Sequence, residues 1–289
     1  MTFLWNGLAA GCLIALFAVS FSTIYLSTRV FHVALAAIIS GAPFVALALH
    51  SGGISSVRVS LVIAVLISGM ASCTCEFLTH WPLQGRRASS GLHLIASLGY
   101  GLIIGQTVVL TWGSGPRVLR GYPDSMWTIG VISLARSQWL AIVCGIGTLL
   151  IVFVVMRLSR FGLLLRALAD DSSSLERAGY NIRLLRLGIF ALAGMIAGVA
   201  SLLSAFGQGF DATSGISLLL PGIVAVILGG RSFVIGPAVA GMILGIVRSA
   251  VSWYASPPWQ DPITFAILLV VLLFRPQHNR IQRFEEGRL

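Results

Sequence analysis

This chain contains no lysine. That absence removes two chemistries. A phosphate loop of the G-x-x-x-x-G-K-[ST] type needs a lysine on the phosphates, and a Schiff base needs one as its amine. Any ATP the protein uses is therefore bound by a partner. Acids are scarce as well: nine Asp and Glu stand against nineteen Arg, and charged residues make up 10% of the 289 positions. A soluble domain carries about 25%. Hydrophobic residues instead reach 57%, with a mean hydropathy of +0.94. At roughly 20 apolar residues per crossing there is room for about eight to ten spans. The expected fold class is an all-α integral membrane protein, a polytopic helical bundle with broken helices. The net charge of +10 is not a nucleic-acid footprint, because the arginines fall at span ends and in loops.

Reactive groups are few. Cys12, Cys73, Cys75 and Cys144 all lie inside apolar stretches. Cys73-x-Cys75 has the wrong spacing for a C-x-x-C site and no histidine beside it, so these cysteines read as small packing residues. His32, His50, His80, His93 and His278 show no H-E-x-x-H spacing, and no G-x-S-x-G occurs. No catalytic residue, metal site or cofactor is expected, and the protein is not read as an enzyme. The first arginine is Arg29, so the N-terminus lacks the basic start of a cleavable signal.

Hydropathy places spans at 4–28, 31–50, 59–78, 92–112, 138–156, 187–206, 216–230, 234–252 and 262–274; 216–230 and 262–274 are short for a crossing. The one long polar interruption is 157–186. It holds Arg157, Arg160, Arg166, Arg177, Arg183 and Arg186 against Asp170, Asp171 and Glu176. Basic loops lie on the cytoplasmic side. That orientation also puts Arg29, Arg86, Arg87, Arg231 and the tail arginines Arg275, Arg280, Arg283 and Arg288 inside. The outer segments are then 51–57, 113–137, 207–215 and 253–261, with Arg58, Arg117, Arg120 and Arg136 as exceptions to the bias. Nine crossings put the N-terminus outside, and eight would put it inside. Trp112, Trp127, Trp139, Trp253, Tyr254 and Trp259 gather near the outer ends, as an interfacial belt does. In the external loop 113–137, Gly113, Gly115, Pro116, Gly121 and Pro123 make turns, and 127–132 reads as a short strand.

Within 157–186, Gly162 to Ala169 reads as a helix leaving the membrane. Asp170, Asp171 and Ser172 to Ser174 then break it. Ser173-x-x-Glu176 has capping-box spacing, a short helix Leu175 to Ala178 follows, and Gly179 is a left-handed terminator. The result is a short, stiff, exposed element. Two readings fit it: a surface that takes force from a soluble motor, or a solvated loop with capped ends.

Here the residues match a family. Gly162-Leu-Leu-Leu-Arg166-Ala167-Leu-Ala169-Asp170-Asp171 followed by Ala178-Gly179-Tyr-Asn-Ile182 resembles the G-x-x-x-R-A-x-A-x-D…A-x-x-x-G-I stretch of permeases in the branched-chain amino-acid ABC importer family. Gly7 to Val30, Leu98 to Arg117 and Gly222 to Gly245 resemble its opening, middle and glycine-rich last third. The resemblance implies a single permease domain over 1–289 in a bacterial inner membrane. Its implied partners are two ATP-binding cassette ATPase subunits, a second permease subunit, a periplasmic solute-binding protein and the lipid bilayer. Arg166, Ala167, Asp170, Asp171, Ser173, Glu176, Ala178 and Gly179 would form the ATPase-coupling surface. The chain departs from the family at several points. Where the family reads I-N-F-A-H-G-E, it has Phe31-His32-Val33-Ala34-Leu35-Ala36-Ala37, so Leu35 and Ala37 replace a polar pair. Arg231 and Arg248 are also atypical.

A pathway for a polar solute needs small residues and interrupted helices within the membrane. Ser40-Gly41-Ala42-Pro43 and Pro221-Gly222 supply both, so Ser40, Gly41, Pro43, Pro221 and Gly222 are candidate pathway walls. His32 at a span start reads as a gate residue or an interfacial one. Arg248 reads as interfacial or as a contact for an anionic solute, and Glu76 as interfacial. The function expected is an ATP-driven importer permease for branched-chain amino acids or related amides and urea. The alternative is a secondary transporter driven by an ion gradient, against which stands the lack of acids at mid-span.

Overall fold

The computed structural model describes residues 2–53, 56–85, 88–119, 126–129 and 132–274. Apolar stretches of this length in a membrane must close their backbone hydrogen bonds internally, which makes them helices. They are α1 (Thr2–Thr28), α2 (Leu35–Ser51), α3 (Val57–Cys75), α4 (Trp81–Gly85), α5 (Ser90–Trp112), α6 (Arg136–Leu158), α7 (Arg160–Asp170), α8 (Ser172–Arg177), α9 (Ile182–Gln208), α10 (Ser214–Gly229), α11 (Ile235–Tyr254) and α12 (Gln260–Phe274). A π-turn, Glu76–His80, joins α3 to α4 in one continuous rod. Among the described residues seven helical stretches are long and apolar enough to cross a membrane, and α2 and α10 are shorter apolar helices. All nine expected spans are therefore helical. Span 262–274 lies within a longer helical piece, Pro257–Phe274, whereas α2 is shorter than its expected span because 29–34 turns.

The external loop contains a hairpin rather than one strand: β1 (Met126–Ile129) pairs antiparallel with β2 (Ile132–Ala135). Arg120, Gly121 and Pro123 of that loop lie outside the described residues, as do Arg86, Arg87 and the tail arginines.

Helix α1 is the axis of the bundle, and Ala15, Leu16, Phe17, Phe21 and Ile24 are all sealed in the core. It packs antiparallel on α11 with very close backbones. Gly7 and Gly11 face Gly245, Ala15 faces Gly241, and a Cβ on Gly11 would lie 2.8 Å from the Met242 carbonyl oxygen. Small residues at four-residue spacing let apolar helices approach this closely and gain dispersion contact that lipid cannot supply. Helix α3 packs antiparallel on α9 in the same way, with Gly69, Gly194 and Gly198 at the contact. By contrast α5 and α12 turn most of their apolar surface outward.

The two ends of the bundle differ. One carries Arg29, Arg157, Arg160, Arg166, Arg177, Arg183 and Arg231, with α7, α8 and the π-turn. The other carries Arg58, Arg117, Arg136 and Arg248, the hairpin, and the ends of α5 and α9.

Pro43 and Pro221 do not interrupt their helices. Each sits inside a continuous helix, α2 or α10. A proline cannot donate to the carbonyl four residues back. For Pro43 the orphan is Ile39, and the Ser201 hydroxyl of α9 donates to that oxygen at 2.5 Å. The lost helical bond thus becomes an interhelical one.

Candidate functional site

Two places at opposite ends of the bundle gather polar groups. At the basic end, Ser159 caps α7 by accepting the Gly162 N–H at 3.0 Å. Helix α7 then runs through Asp170, further than the sequence suggests, and buries Gly162, Leu165 and Leu168. The break is a single residue. Asp171 is extended, and its carboxylate accepts the Ser173 N–H at 2.9 Å and the Ser173 hydroxyl at 2.7 Å. The expected capping box of Ser173 and Glu176 is therefore displaced: Asp171 is the cap and Ser173 a donor to it. The hydroxyls of Ser174 and Ser173, with the Ser173 N–H, hold the Asp171 carboxyl down at about 2. An acceptor with three donors is favoured as the anion.

The far end of α8 closes as expected. Gly179 takes φ +85°, its N–H donates to Glu176 at 3.0 Å, and the Tyr180 N–H donates to Leu175 at 3.2 Å. These two bonds form a Schellman motif, which calls for glycine at the left-handed position. Asn181 then caps α9 by accepting from Arg183 and Leu184. Helix α8 is thus fastened at both ends. Leu175 is buried, while Ser173, Glu176, Arg177, Ala178 and Gly179 are exposed. Of the expected coupling residues, Arg166 and Asp170 line a cleft of about 370 Å³ together with Arg157 and Arg231, and Ala167 is half-buried above the core.

At the opposite end lies a cavity of about 540 Å³ between α1, α6, α9, α10 and α11. Asn6, Gln138, Ser204, Gln208, Ser217, Arg248 and Gln260 give it a polar wall. The Gln138 amide donates to Asn6 at 2.9 Å. Arg248 is neither free nor merely interfacial: it donates to Asp261 at 2.8 Å and to Thr264 at 3.0 Å. Pro221 lines this cavity, and so does Ser217, whose carbonyl lacks a helical donor because Pro221 has none. The other expected pathway residues are elsewhere. Ser40 borders a smaller apolar pocket of about 210 Å³ and accepts the Gly215 N–H at 2.9 Å. Gly41 and Pro43 are buried in helix packing, and Gly222 seats α10 against Phe17.

His32 and Glu76 are not interfacial. His32 is fully buried beside Phe190, Cys75 and His80. Glu76 is buried and forms a two-pronged ion pair with Arg186 of α9, at 2.5 and 3.1 Å. Cys75 is buried as a packing residue would be, and His32 and His80 face its sulfur at 3.8 and 4.0 Å. No spacing rule could have found this pair or this cluster. Their members come from the α1–α2 turn, the end of α3, the π-turn and α9.

The chain matches the family described as "Branched-chain amino acid transport system / permease component" over residues 3–272. It belongs to that family. It is similar to the high-affinity branched-chain amino acid transport system permease LivH of Escherichia coli K12, with 26% identity covering 94% of this chain and 92% of LivH. It is also similar to the autoinducer 2 import system permease LsrC of Shigella flexneri, with 28% identity over 63% of this chain and 54% of LsrC. Among solved structures, PsaBC from Streptococcus pneumoniae in complex with Fab superimposes with a TM-score of 0.54 across 97% of this chain and 95% of that one. At 12% identity that likeness speaks to the fold alone. This family member is thus a multi-pass membrane permease component, a transport subunit rather than an enzyme.

Proposed function

We propose that this chain is one permease subunit of an ATP-driven importer in a bacterial inner membrane, carrying small polar organic solutes such as branched-chain amino acids, amides or urea. Two ATP-binding cassette subunits, a second permease and a periplasmic binding protein complete the machine. Helix α8, capped at both ends and exposed at the basic end, carries this reading. A short rigid rod anchored by Leu175 transmits a push that a floppy loop would absorb. Arg166 and Asp170 beside it offer charged contacts to an ATPase groove. The polar cavity at the other end suits a solute delivered from outside. The Arg248 guanidinium on its wall, held by Asp261, offers one positive charge to a solute carboxylate.

The test is reconstitution in vesicles with the ATPase and binding protein encoded alongside. Uptake should require ATP and the loaded binding protein. Arg166→Glu or Gly179→Val should release the ATPase from the membrane and cut uptake at least tenfold. Full solute accumulation by this subunit alone, driven by a proton gradient, would instead establish the ion-gradient carrier.

A further inference from the structure

The cluster at the basic end brings one thiol and two imidazoles together. Cys75 closes α3 and His80 closes the π-turn, five residues later. On a regular α-helix, residues five apart point about 140° away from one another. The wider i→i+5 turn brings them nearly into line, and His80 Nε2 stands 4.0 Å from Cys75 Sγ. From the other side the α1–α2 turn delivers His32, whose Nδ1 lies 3.8 Å from the same sulfur. Ser97 of α5 touches that turn by accepting the Val33 N–H at 3.3 Å, and its hydroxyl lies 2.9 Å from the Leu94 carbonyl and 3.3 Å from that of Phe31.

We propose that Cys75, His80 and His32 bind one thiophilic d10 cation, Zn²⁺ or Cu(I). The three ligand atoms all lie within 4.8 Å of one another. Sulfur at 2.3 Å and nitrogen at 2.0–2.1 Å from a tetrahedral metal are about 3.6 Å apart, close to the two sulfur–nitrogen distances here. His32 is fully buried and turns its Nδ1 toward the sulfur, and that nitrogen makes no hydrogen bond shorter than this 3.8 Å contact; its Nε2, on the far side of the ring, has no partner. His80 has the support a ligating histidine needs: its Nδ1 is 3.1 Å from Nδ1 of His93. A proton held there leaves the His80 Nε2 lone pair free for a metal. A thiolate with two imidazoles selects soft or borderline ions over magnesium or calcium.

Binding forms the S–metal bond and releases the Cys75 proton to solvent. Neutral imidazoles then leave one negative charge among the ligands. Cu(I) gives a neutral sphere, and Zn²⁺ leaves one positive charge. Glu76 is adjacent, but it is already matched by Arg186. The cation would clamp the start of α2 to the α3 rod at the end where α8 sits.

The experiment uses the purified full-length chain, first stripped by chelation. One arm adds Zn²⁺, a second adds Cu(I) under reductant, and a third adds Co²⁺ as a spectroscopic stand-in. About one equivalent of Zn²⁺ or Cu(I) per chain is expected, and the arm that binds names the ion. Cobalt should give a thiolate charge-transfer band. Cys75→Ser or His80→Gln should weaken binding at least tenfold. His93→Gln should weaken it about 10- to 100-fold, as loss of an outer-shell partner does, and Cys73→Ser should leave it unchanged. If the variants fail to fold, two readouts on the unmodified protein decide: the cobalt band and protection of Cys75 from alkylation by the bound metal. Lack of stoichiometric binding in both metal arms, a cobalt complex without the band, or binding unaffected by folded Cys75→Ser would overturn the proposal.

Discussion

Single side chains in this bundle repair the costs that membrane burial imposes. An unpaired carbonyl in a water-free interior is expensive, and Pro43 creates one at Ile39. The Ser201 hydroxyl satisfies it, and Ser20 likewise donates from α1 to the Ala193 carbonyl at 2.7 Å. Ser201→Ala should therefore destabilise the protein by about 1–3 kcal/mol, the cost of a buried group left unsatisfied. Pro43→Ala restores a backbone donor to Ile39, so in that background the same serine substitution should cost much less. Thermal unfolding of the four proteins in one detergent gives this cycle. Equal losses in both backgrounds would mean that Ser201 acts through packing. The Glu76–Arg186 pair follows similar logic at higher stakes. Removing one partner of a buried pair strands a charge, whereas replacing both with apolar groups is often tolerated.

At the scale of elements, α8 is held by its ends. Six residues are too few to be stable as an isolated helix, so the Asp171 cap and the Gly179 turn decide whether it exists. Asp171 sits at about 2, below its ordinary 3.8, because hydroxyls and an N–H stabilise its anion. A depressed carboxyl contributes stability that is complete above its unfolded value and lost as pH falls through the folded one. The protection factors of amides 172–177, taken against the intrinsic exchange rate at each pH, should thus be unchanged from neutrality to about pH 4 and should fall as pH approaches 2. Asp171→Asn keeps an acceptor but removes the titration, so its exchange should not show that acid step. The reading of Asp170 to Ser174 as one broad break missed this because cap identity depends on backbone direction. Serine, aspartate and the capping-box spacing all fit the same five residues. Gly179 was legible because its φ is required by chemistry rather than by neighbours.

For the whole molecule, the asymmetry of arginines predicts an orientation, with α8 on the inner face and the N-terminus and polar cavity on the outer one. Ser174→Cys should react with an impermeant maleimide only in inverted vesicles, and Gly115→Cys only in intact cells. The reverse pattern would invert the orientation and remove α8 from an ATPase's reach. The nine helices were legible because hydropathy and length are properties of consecutive residues. The central place of α1 was not, because it rests on glycines of α1 and α11 that are more than 200 positions apart.

The sequence by itself determined the class of protein, the run of spans and the single basic interruption. Each follows from local composition acting against a bilayer that forbids unpaired backbone. Only the tertiary structure decided which polar groups would meet. It buried His32 beside Cys75 and His80, matched Glu76 to Arg186, gave Ile39 to Ser201 and left Pro221 alone of the expected pathway residues on the polar cavity. The physical reason is that a π-turn and close helix pairing change which residues face one another, and neither leaves a spacing that can be read along the chain.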